Sequence, residues 1–406
     1  MIRRFISERL GESLADTPVT MVVGPRQSGK STVVQEFRER RYVSLDDPMV
    51  LAHALSDPGG FLDAYGDPLT IDEIQRAPSL LLPMKLRVDR DRRPGRFLLT
   101  GSANVLALPK VSESLAGRME VLDLPPMTQS EIDGTQANFV DALVCSDPLP
   151  REANPISKDD IIQRILRGGF PEPVTRVNQR RRSAWFTAYI RTMLERDVRD
   201  IANIAGLSQL PRVLNLLAIR NGETLNLAAL GRDTGIPHTT LTRYLDLLKA
   251  IYVIQLVPAW SVDDSTRYQK TSRCYIVDTG LASALASVEE GSLQDRDLLD
   301  RMLRAFVSNE LGRQISGGAM TPTLLHLRTV RQKQVEFVLE GRDGRISGLD
   351  VTSSTDITES DLEGLRFLAE VSGDRFHRGA ILTMGPEVRP IGVNLWAVPI
   401  SMLWSA

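Results

Sequence analysis

One eight-residue motif constrains the fold of this chain more than any other feature. Residues 24–31 read GPRQSGKS and fit the pattern G-x-x-x-x-G-K-[ST]. The apolar segment 19–23 (VTMVV) precedes the motif, and a segment with helical character, 31–40, follows it. When a glycine-rich loop of this kind connects a strand to a helix, its backbone N–H groups turn inward and bind phosphate. The motif therefore predicts an α/β domain that binds a nucleotide.

The loop also predicts which residues hold ATP and Mg²⁺. Lys30 is expected to hold the β- and γ-phosphates and Ser31 to ligate Mg²⁺, while the helix N-terminus adds its dipole. The residues predicted to bind the nucleotide are Gly24, Pro25, Arg26, Gln27, Ser28, Gly29, Lys30, Ser31 and Thr32. The alternative, a glycine turn between a strand and a helix, is disfavoured by the complete motif.

An acidic pair ends a second apolar segment, in residues 68–73 (PLTIDE). Asp72 is predicted to hold the Mg²⁺ shell, and Glu73 to polarise the water that attacks the γ-phosphate. An Asp-Glu pair by itself is more often a surface turn, but its position downstream of the phosphate loop favours the catalytic interpretation. The prediction of ATP hydrolysis, as opposed to binding alone, rests mainly on Glu73.

Two further features complete the predicted catalytic site. Residues 97–102 (FLLTGS) predict a strand whose polar end lies beside the γ-phosphate, with Ser102 as the first choice for orienting water and Thr100 and Asn104 behind it. Arg118 precedes the last predicted strand of this region, where it could neutralise transition-state charge on the nucleotide of a neighbouring subunit. A surface arginine is the alternative.

Alternating apolar and helical segments predict a parallel sheet with helices in the N-terminal part of the chain. The predicted strands are 19–23, 42–45, 69–71, 96–100 and 119–124. Residues 129–157 are polar and carry three prolines, so they are predicted to be a linker or an insertion. Helices are expected from about 158 to 257, and a mixture of strands and helices fills 270–406.

Composition limits the class of protein. The 406 residues correspond to two to four domains, and 42% hydrophobic with 25% charged residues is typical of a globular protein. Two cysteines and four scattered histidines indicate neither a disulfide framework nor a zinc site. With no leader-like segment and no run of about 18 apolar residues, we expect no membrane partner and a cytoplasmic location. The net charge of −2 confines any nucleic-acid binding to a local patch.

Residues 207–260 predict a winged helix-turn-helix. Helical segments 225–233 and 239–250 flank a tight turn at 234–237 (TGIP), and 252–257 could form the wing. Side chains expected at the exposed start of the second helix suit phosphate and base contacts, namely Thr239, Thr240, Thr242 and Arg243. Winged helices in ATPases also serve as lids or protein contacts, so both interpretations stay open.

Two arginine-rich segments supply local positive charge. Residues 176–199 carry seven arginines against two acids, a net charge of +5, and residues 85–96 carry six basic residues against two acids, a net charge of +4. Repeated around a ring, such segments could line a channel for double-stranded DNA. A solvated helix face is the alternative for each segment.

Taken together, the loop, the Asp-Glu strand, the hydroxyl-ended strand and Arg118 resemble an AAA+ ATPase. More narrowly, five segments resemble one bacterial and archaeal family that joins an AAA+ module to an uncharacterised C-terminal region: 42–47 (YVSLDD), 71–78 (IDEIQRAP), 98–102 (LLTGS), 168–172 (GGFPE) and 189–197 (YIRTMLERD). This resemblance implies a homo-oligomer, a ring or an open arc, with ATP at subunit interfaces. It also implies Arg118 as the arginine finger and lid helices at about 158–206.

The C-terminal order of helix, hairpin, helix and strand resembles the restriction-endonuclease-like superfamily. Active members use an early Glu, an Asp and a Glu-x-Lys to hold Mg²⁺ and position water. The corresponding residues here are Glu310, Glu336 and Asp350, with Thr352 in place of the lysine and Arg366 as the next basic residue. Threonine cannot supply the missing charge, so we expect a scaffold, DNA-binding or oligomer-forming domain without nuclease activity. Surface carboxylates are the alternative for the three acids.

The predicted architecture is therefore α/β with three domains. Residues 1–206 form a P-loop AAA+ parallel sheet with a helical lid, 207–285 the winged helix-turn-helix, and 286–406 a degenerate restriction-endonuclease-like domain. Residues 278–280 (DTG) are predicted to be a turn. The leading functional hypothesis is an Mg²⁺-dependent ATPase that couples nucleotide state to DNA binding or remodelling. The alternatives are an ATP-gated assembly switch that recruits a protein without DNA, and an ATP-controlled nuclease.

Overall fold

The computed structural model describes residues 2–102, 115–135, 137–145, 149, 154–197, 207–262, 271–329 and 333–405. The chain divides into two compact units. The first unit consists of Arg3–Pro126 with Ala250–Tyr252, and the second of Met127–Lys249 with Val253–Ala406. The division into three domains with boundaries at 206 and 285 stays a prediction.

The first unit contains a five-stranded parallel sheet, as predicted. The strands are β1 (Val19–Val23), β2 (Arg41–Ser44), β3 (Leu69–Asp72), β4 (Phe97–Gly101) and β5 (Met119–Asp123), in the spatial order β2-β3-β4-β1-β5. The described helices are α1 (Ile6–Asp16), α2 (Lys30–Val34), α3 (Pro48–Ser56), α4 (Pro58–Tyr65) and α5 (Leu81–Arg90). Strands β1, β3 and β4 are buried along their whole length, since crossover connections cover both faces of a parallel sheet. Met21 and Leu99 pack into one apolar cluster, and Val22 and Leu98 into another, because side chains alternate between the two faces.

The parallel arrangement places the ends of β1, β3 and β4 at one edge of the sheet. Register pairs Val23, the last residue of β1, with Gly101, the last residue of β4. The phosphate loop, the acidic pair and the hydroxyl-bearing strand end therefore meet at this edge. Arg118 instead precedes Met119, which pairs with Val19 at the start of β1, so Arg118 lies at the opposite edge.

The helix after the phosphate loop is shorter than predicted. Helix α2 spans Lys30–Val34, whereas the pattern predicts a helix over 31–40. Beyond α2 the backbone continues in tighter turns, such as the bond from Glu36 N–H to the Val33 carbonyl (3.1 Å). The buried guanidinium of Arg40 donates to backbone carbonyls at the start of β3 and before β4. These tertiary hydrogen bonds replace the helical ones that local propensity favours.

The second unit begins with helices where a linker or an insertion was predicted, so the linker interpretation is wrong. Helices α6 (Gln129–Asp133) and α7 (Phe139–Val144) occupy part of 129–157. Phe139 and Leu143 are fully buried, and the Val140 N–H donates to the Gln314 side chain (3.1 Å). The three prolines of this segment all follow α7, so they do not interrupt its short apolar face.

The helical run and its following hairpin match the sequence pattern closely. The helices are α8 (Lys158–Arg167), α9 (Pro171–Thr175), α10 (Gln179–Thr192), α11 (Leu210–Ile219), α12 (Leu227–Thr234) and α13 (His238–Ala250). Gly235 adopts a φ of 72° in the turn between α12 and α13, which is a conformation that favours glycine. Strands β6 (Ile254–Val257) and β7 (Arg273–Ile276) then pair antiparallel. The identity of this segment as a winged helix stays a prediction.

A six-stranded mixed sheet occupies the C-terminal part of the second unit. Its order is β12-β13-β11-β10-β9-β8, formed by β8 (Thr323–Arg328), β9 (Gln334–Glu340), β10 (Ile346–Val351), β11 (Phe376–Thr383), β12 (Arg389–Gly392) and β13 (Leu395–Pro399). The accompanying helices are α14 (Thr279–Ala286), α15 (Arg296–Gly317), α16 (Glu359–Ser372) and α17 (Met402–Ser405). Leu365 and Leu368 of α16 pack on Val335 and Ile381 of the sheet. The assignment of this part to the restriction-endonuclease-like superfamily stays a prediction.

Among the described helices of the chain, none is long and apolar enough to span a bilayer.

A buried ion-pair network connects distant segments of the second unit. Arg313 pairs with Asp278 (2.8 Å) and with Glu310 (3.1 Å), and all three side chains are at most 4% exposed. Asp278 also accepts hydrogen bonds from the backbone N–H of Gly169 (2.7 Å) and of Leu281 (3.0 Å). Residues 278–280 are therefore not an isolated turn, because Asp278 caps helix α14 and anchors a buried cation.

We predict that Arg313→Ala strongly destabilises the second unit. Removing the guanidinium leaves two buried carboxylates without their counter-charge, which costs about 3–5 kcal/mol in comparable buried pairs. Calorimetric unfolding of the full chain measures the change. Arg366→Ala removes an exposed arginine paired with Glu359 and serves as the control. Equal unfolding temperatures for the two variants would contradict a stabilising role for the network.

Candidate nucleotide-binding site

Two glycines allow the phosphate loop to take its path between β1 and α2. Gly24 has a φ of 152°, and a Cβ placed on it would lie 2.2 Å from the carbonyl oxygen of Leu124. Gly29 has a φ of 100° directly before α2. Any larger residue at position 24 would therefore collide with the backbone that follows β5.

Arg4 holds the loop from outside the motif, and the sequence pattern did not single it out. Its Nη1 donates to the carbonyl of Ser28 and its Nη2 to the carbonyl of Pro125, both at 2.7 Å. The side chain is buried at 6% exposure, so these charge-assisted bonds are shielded from water. Arg4 precedes helix α1, and the sequence around it has no pattern that predicts this contact.

The loop lysine lies where the motif predicts. Lys30 is 5% exposed, and its Nζ donates to the carbonyls of Gly24 (3.1 Å) and Pro25 (2.9 Å). The ammonium is thus folded back over its own loop. An anion bound in the loop offers these N–H donors stronger, charged acceptors than the two carbonyls.

Asp72 is the centre of a hydroxyl network at the carboxyl edge of the sheet. Its carboxylate accepts hydrogen bonds from Ser31 Oγ (3.0 Å to both oxygens), Thr100 Oγ1 (2.5 Å) and Tyr42 OH (2.9 Å). The side chain is nearly buried, at 4% exposure. The structure therefore brings together three residues that the sequence predicted for this site: Ser31, Asp72 and Thr100.

Tyr42 is a residue of this network that the sequence analysis missed. It lies on β2, next to β3 in the sheet, and burial together with the nearby Asp72 charge raises its pKa to about 12. The phenol therefore stays protonated and donates to the carboxylate. The only signal was its place in the segment YVSLDD, which marks the strand without marking the hydroxyl.

Glu73 takes a backbone conformation that is uncommon for a residue with a side chain. Its φ of 62° and ψ of 47° lie in the left-handed region, and its N–H donates to Thr100 Oγ1 (3.0 Å). Ser102 Oγ donates to the Glu73 carboxylate (3.1 Å), and so does the Gln75 amide, which also contacts Ser102 (2.9 Å). Backbone strain of this kind is concentrated at functional sites. Gln75 was missed because a glutamine after an acidic pair has no distinctive pattern.

Arg118 does not join this cluster in its own chain. Its Nε pairs with Asp89 (2.5 Å) and its Nη1 donates to the Ala116 carbonyl (2.9 Å). The hydrogen bond from Arg118 lowers the pKa of Asp89. Asn104, the other second choice for orienting water, lies outside the described residues.

The donor set at Asp72 fits a magnesium ion. A hydroxyl oxygen and a carboxylate are hard oxygen ligands of the type that Mg²⁺ prefers. Adjacent ligands of an octahedral ion with bonds of 2.0–2.1 Å lie about 3 Å apart. Ser31 Oγ and the Asp72 oxygens are 3.0 Å apart, which matches that spacing. Ser31 and Asp72 are therefore the residues that would hold Mg²⁺.

The three C-terminal acids do not assemble a metal site in the described part of the chain, where no cluster of three potential ligands occurs. Glu310 belongs to the buried network of Arg313, and burial raises its pKa to about 7. Glu336 pairs with the buried Arg273, so a guanidinium already neutralises it. Desolvation raises the pKa of Asp350 to about 7, and its Oδ1 accepts the Glu336 backbone N–H (2.7 Å).

The two arginine-rich segments are partly neutralised by ion pairs. In 85–96, Arg87 pairs with Asp63 (2.5 Å), and Arg96 is largely buried against Asp67. In 176–199, Arg176 pairs with Glu172 (2.8 Å), Arg191 pairs with Glu195 (3.0 Å), and Arg182 is buried. Because Asp63, Asp67 and Glu172 lie outside the two segments, the charge counted within each segment overstates its positive field.

Family comparisons agree with this geometry. Residues 16–133 match the family described as an AAA domain, which covers the phosphate loop, Asp72 and Glu73. Residues 158–292 and 300–403 match two domains of unknown function, DUF8612 and DUF4143. Residues 16–133 are therefore similar to an AAA domain, and the parallel sheet is consistent with a P-loop ATPase fold.

The chain as a whole is similar to uncharacterized proteins of Mycobacterium tuberculosis and Mycobacterium bovis. Each is 29% identical over 407 residues, covering 99% of this chain and 84% of the relative. Among solved structures, a Walker-type ATPase of Pyrococcus abyssi has 16% identity and a TM-score of 0.45, covering 70% of this chain and 96% of its own. A signal transduction ATPase (STAND) of Pyrococcus horikoshii has 11% identity and a TM-score of 0.27, covering 78% and 47%. Both scores are too low to assign roles to residues here.

We predict that Gly24→Ala disrupts the phosphate loop. The added methyl group collides with the Leu124 carbonyl, so the loop must move and ATP affinity should fall roughly tenfold or more. Titration with a fluorescent ATP analogue measures the affinity. Gly11→Ala is the matched control, because a Cβ at Gly11 in helix α1 meets nothing within 4 Å. Unchanged binding in Gly24→Ala would contradict this loop geometry.

Proposed function

We propose that this protein is an Mg²⁺-dependent ATPase that hydrolyses ATP at the site formed by the phosphate loop, Asp72 and Glu73. The observation that carries the proposal is the contact between Ser31 and Asp72 beside the buried Lys30. It joins the phosphate loop to the acidic strand end, as a nucleotide site with Mg²⁺ requires. The match to an AAA domain over 16–133 supports the same activity.

Each residue has a distinct role in the proposed reaction. Lys30 would exchange its loop carbonyls for the terminal phosphates. Ser31 and Asp72 would hold Mg²⁺, which would neutralise charge on the phosphate oxygens. Glu73 accepts a proton from the attacking water, which it can do because its carboxylate is held by hydrogen-bond donors and carries no ion pair in its described contacts. Ser102 and Gln75 both donate to Oε2 of that carboxylate and so orient it.

We predict that Lys30→Ala and Glu73→Gln separate binding from hydrolysis. Lys30→Ala should lose ATP binding, because the terminal phosphates lose their cation. Glu73→Gln should bind ATP as the wild type does while turnover falls about 100-fold or more, because the amide cannot accept the proton. Titration with a fluorescent ATP analogue and phosphate release measure the two effects.

The controls are Lys85→Ala and Glu12→Gln, which make the same changes away from the site. Both controls should bind and hydrolyse ATP normally. Unchanged turnover in Glu73→Gln would contradict the role of Glu73 in activating water. The site would then be supported only as an ATP-binding site, as in the assembly-switch alternative.

We further propose that the protein acts as a homo-oligomer, a ring or an open arc, in which Arg118 reaches the nucleotide of a neighbouring subunit. The position of Arg118 at the sheet edge opposite its own phosphate loop supports this role, because it excludes action on the nucleotide of its own chain. The Asp89 pair would hold the side chain until a neighbouring phosphate replaces the carboxylate.

We predict that Arg118→Ala binds ATP but hydrolyses it slowly, because a cation that stabilises transferring phosphate is worth about 10³ or more in rate. Mixing Arg118→Ala with Lys30→Ala should restore part of the activity, since each variant supplies what the other lacks. Phosphate release from the mixture is the measurement. A mixture as inactive as its components would count against action between subunits, and Arg92→Ala at an exposed position is the control.

The nucleotide state is proposed to control DNA binding, in a cytoplasmic protein without a membrane partner. Support comes from the helix pair α12 and α13, where Thr239, Thr242 and Arg243 are exposed at the start of the second helix. The nuclease alternative has less support, since Arg273 neutralises Glu336 and Thr352 replaces the lysine. The assembly switch without DNA is the alternative that DNA-binding measurements distinguish.

A further inference from the structure

A large cavity of the second unit is lined by none of the residues of the nucleotide site. It is bounded by the end of α11, helix α12, strand β7, helix α15 and the facing ends of β8 and β9. Its volume is about 1200 Å³. Pockets for small molecules usually enclose about 300–1,000 Å³, so this cavity suits a more extended ligand.

Arginines from separate elements converge on this cavity. Among the described residues of the lining, five arginines face two glutamates, a net charge of +3. The arginines lie far apart along the chain, so no basic run marks them in the sequence. They are Arg220 after α11, Arg273 on β7, Arg301 and Arg304 on α15, and Arg328 at the end of β8.

Neighbouring groups hold these guanidinium groups in position. Arg301 donates from Nη1 to the Ile219 carbonyl (2.9 Å), and Arg220 pairs through Nη2 with Asp233. Arg304 lies 3.9 Å from Glu336 and is about one-third exposed. Because a guanidinium carries five N–H donors, a tether through one nitrogen orients the group while other donors face the cavity.

Two buried donors in the lining lack hydrogen-bond partners. They are Nε of Arg273, which is 6% exposed, and Nδ2 of Asn221, which is 1% exposed. Buried polar groups in folded proteins are nearly always hydrogen-bonded, and an unpaired one costs free energy. Both residues line the cavity, so an acceptor-rich ligand bound there would bring acceptors to the same region.

We propose that this cavity binds the phosphate backbone of a nucleic-acid strand. Guanidinium groups match phosphate oxygens in charge and in geometry. The residues described in the lining include no aromatic side chain, which favours recognition through phosphate contacts over base stacking. This inference builds on the proposed coupling to DNA and assigns a site to it. Thr239, Thr242 and Arg243 of the helix-turn-helix do not line the cavity.

Fluorescence anisotropy with the full chain tests the site. The probes are a labelled 20-nucleotide single strand, the corresponding duplex and a labelled polyglutamate peptide, each measured over a series of salt concentrations. The cavity variant is the double substitution Arg301→Gln and Arg304→Gln. Arg342→Gln combined with Arg389→Gln is the matched control, because it removes the same charge from exposed positions that do not line the cavity.

The cavity variant should bind nucleic acid about tenfold more weakly and should lower the slope of log affinity against log salt by about 1–2. The control should change affinity by less than about twofold. The single variant Arg328→Gln, at an exposed rim position, should show part of the loss without disturbing the buried Arg273–Glu336 pair. Thermal unfolding confirms that each variant is folded.

Three results would overturn the proposal. The first is equal loss in the cavity and control variants, which would place binding on the exposed surface. The second is binding of polyglutamate but not of nucleic acid, which would indicate an acidic peptide. The third is the absence of binding to any probe. ATP hydrolysis by the same samples separates the two proposals: a wild type that binds nucleic acid through the cavity but hydrolyses no ATP refutes only the proposed function.

Discussion

The buried carboxylate of Asp72 is the constraint on which the nucleotide site depends. A charge at 4% exposure requires polar partners, and hydroxyl groups from three other segments supply them. Ser31 comes from the phosphate loop, Tyr42 from β2 and Thr100 from β4. These bonds fix the loop relative to the strand ends before any ligand binds. The same residues that satisfy the buried charge therefore preorganise the site for phosphate and Mg²⁺.

In the second unit, a buried cation has the corresponding structural role. Arg313 brings together two acids that are distant in sequence, Asp278 and Glu310, and Asp278 in turn holds the backbone at Gly169. A Cβ at Gly168 would lie 2.2 Å from the Asp278 carboxylate, which explains a glycine at this point of the chain. Segments that sequence reasoning treated as separate motifs are thus parts of one network.

Charge shows most clearly how sequence and structure differ in what they reveal. The overall charge of −2 and the two arginine-rich segments predict that positive charge is concentrated among residues close together in the chain. In the fold, several of those arginines pair with acids such as Asp63 and Glu172. The cavity of the second unit instead collects arginines from positions 220 to 328, one or two from each element. The positive charge of this cavity arises because the fold brings distant residues together, so counting charges along a short segment of sequence cannot predict it.

The sequence by itself determined the parallel sheet, the phosphate loop and the acidic strand end, because backbone geometry and residue type at short spacing dictate these features. It also predicted that Ser31 and Asp72 would hold one ion; the structure brings the two side chains to 3.0 Å, and their role in holding an ion stays a prediction. Only the tertiary structure decided the partners of those residues: Tyr42 and Gln75 in the site, Arg4 behind the loop, and Arg273 against Glu336. The helices within 129–157 and the early end of α2 were likewise decided by packing and tertiary hydrogen bonds. Contacts between residues distant in the chain arise from the fold, and they leave no periodic pattern in the sequence.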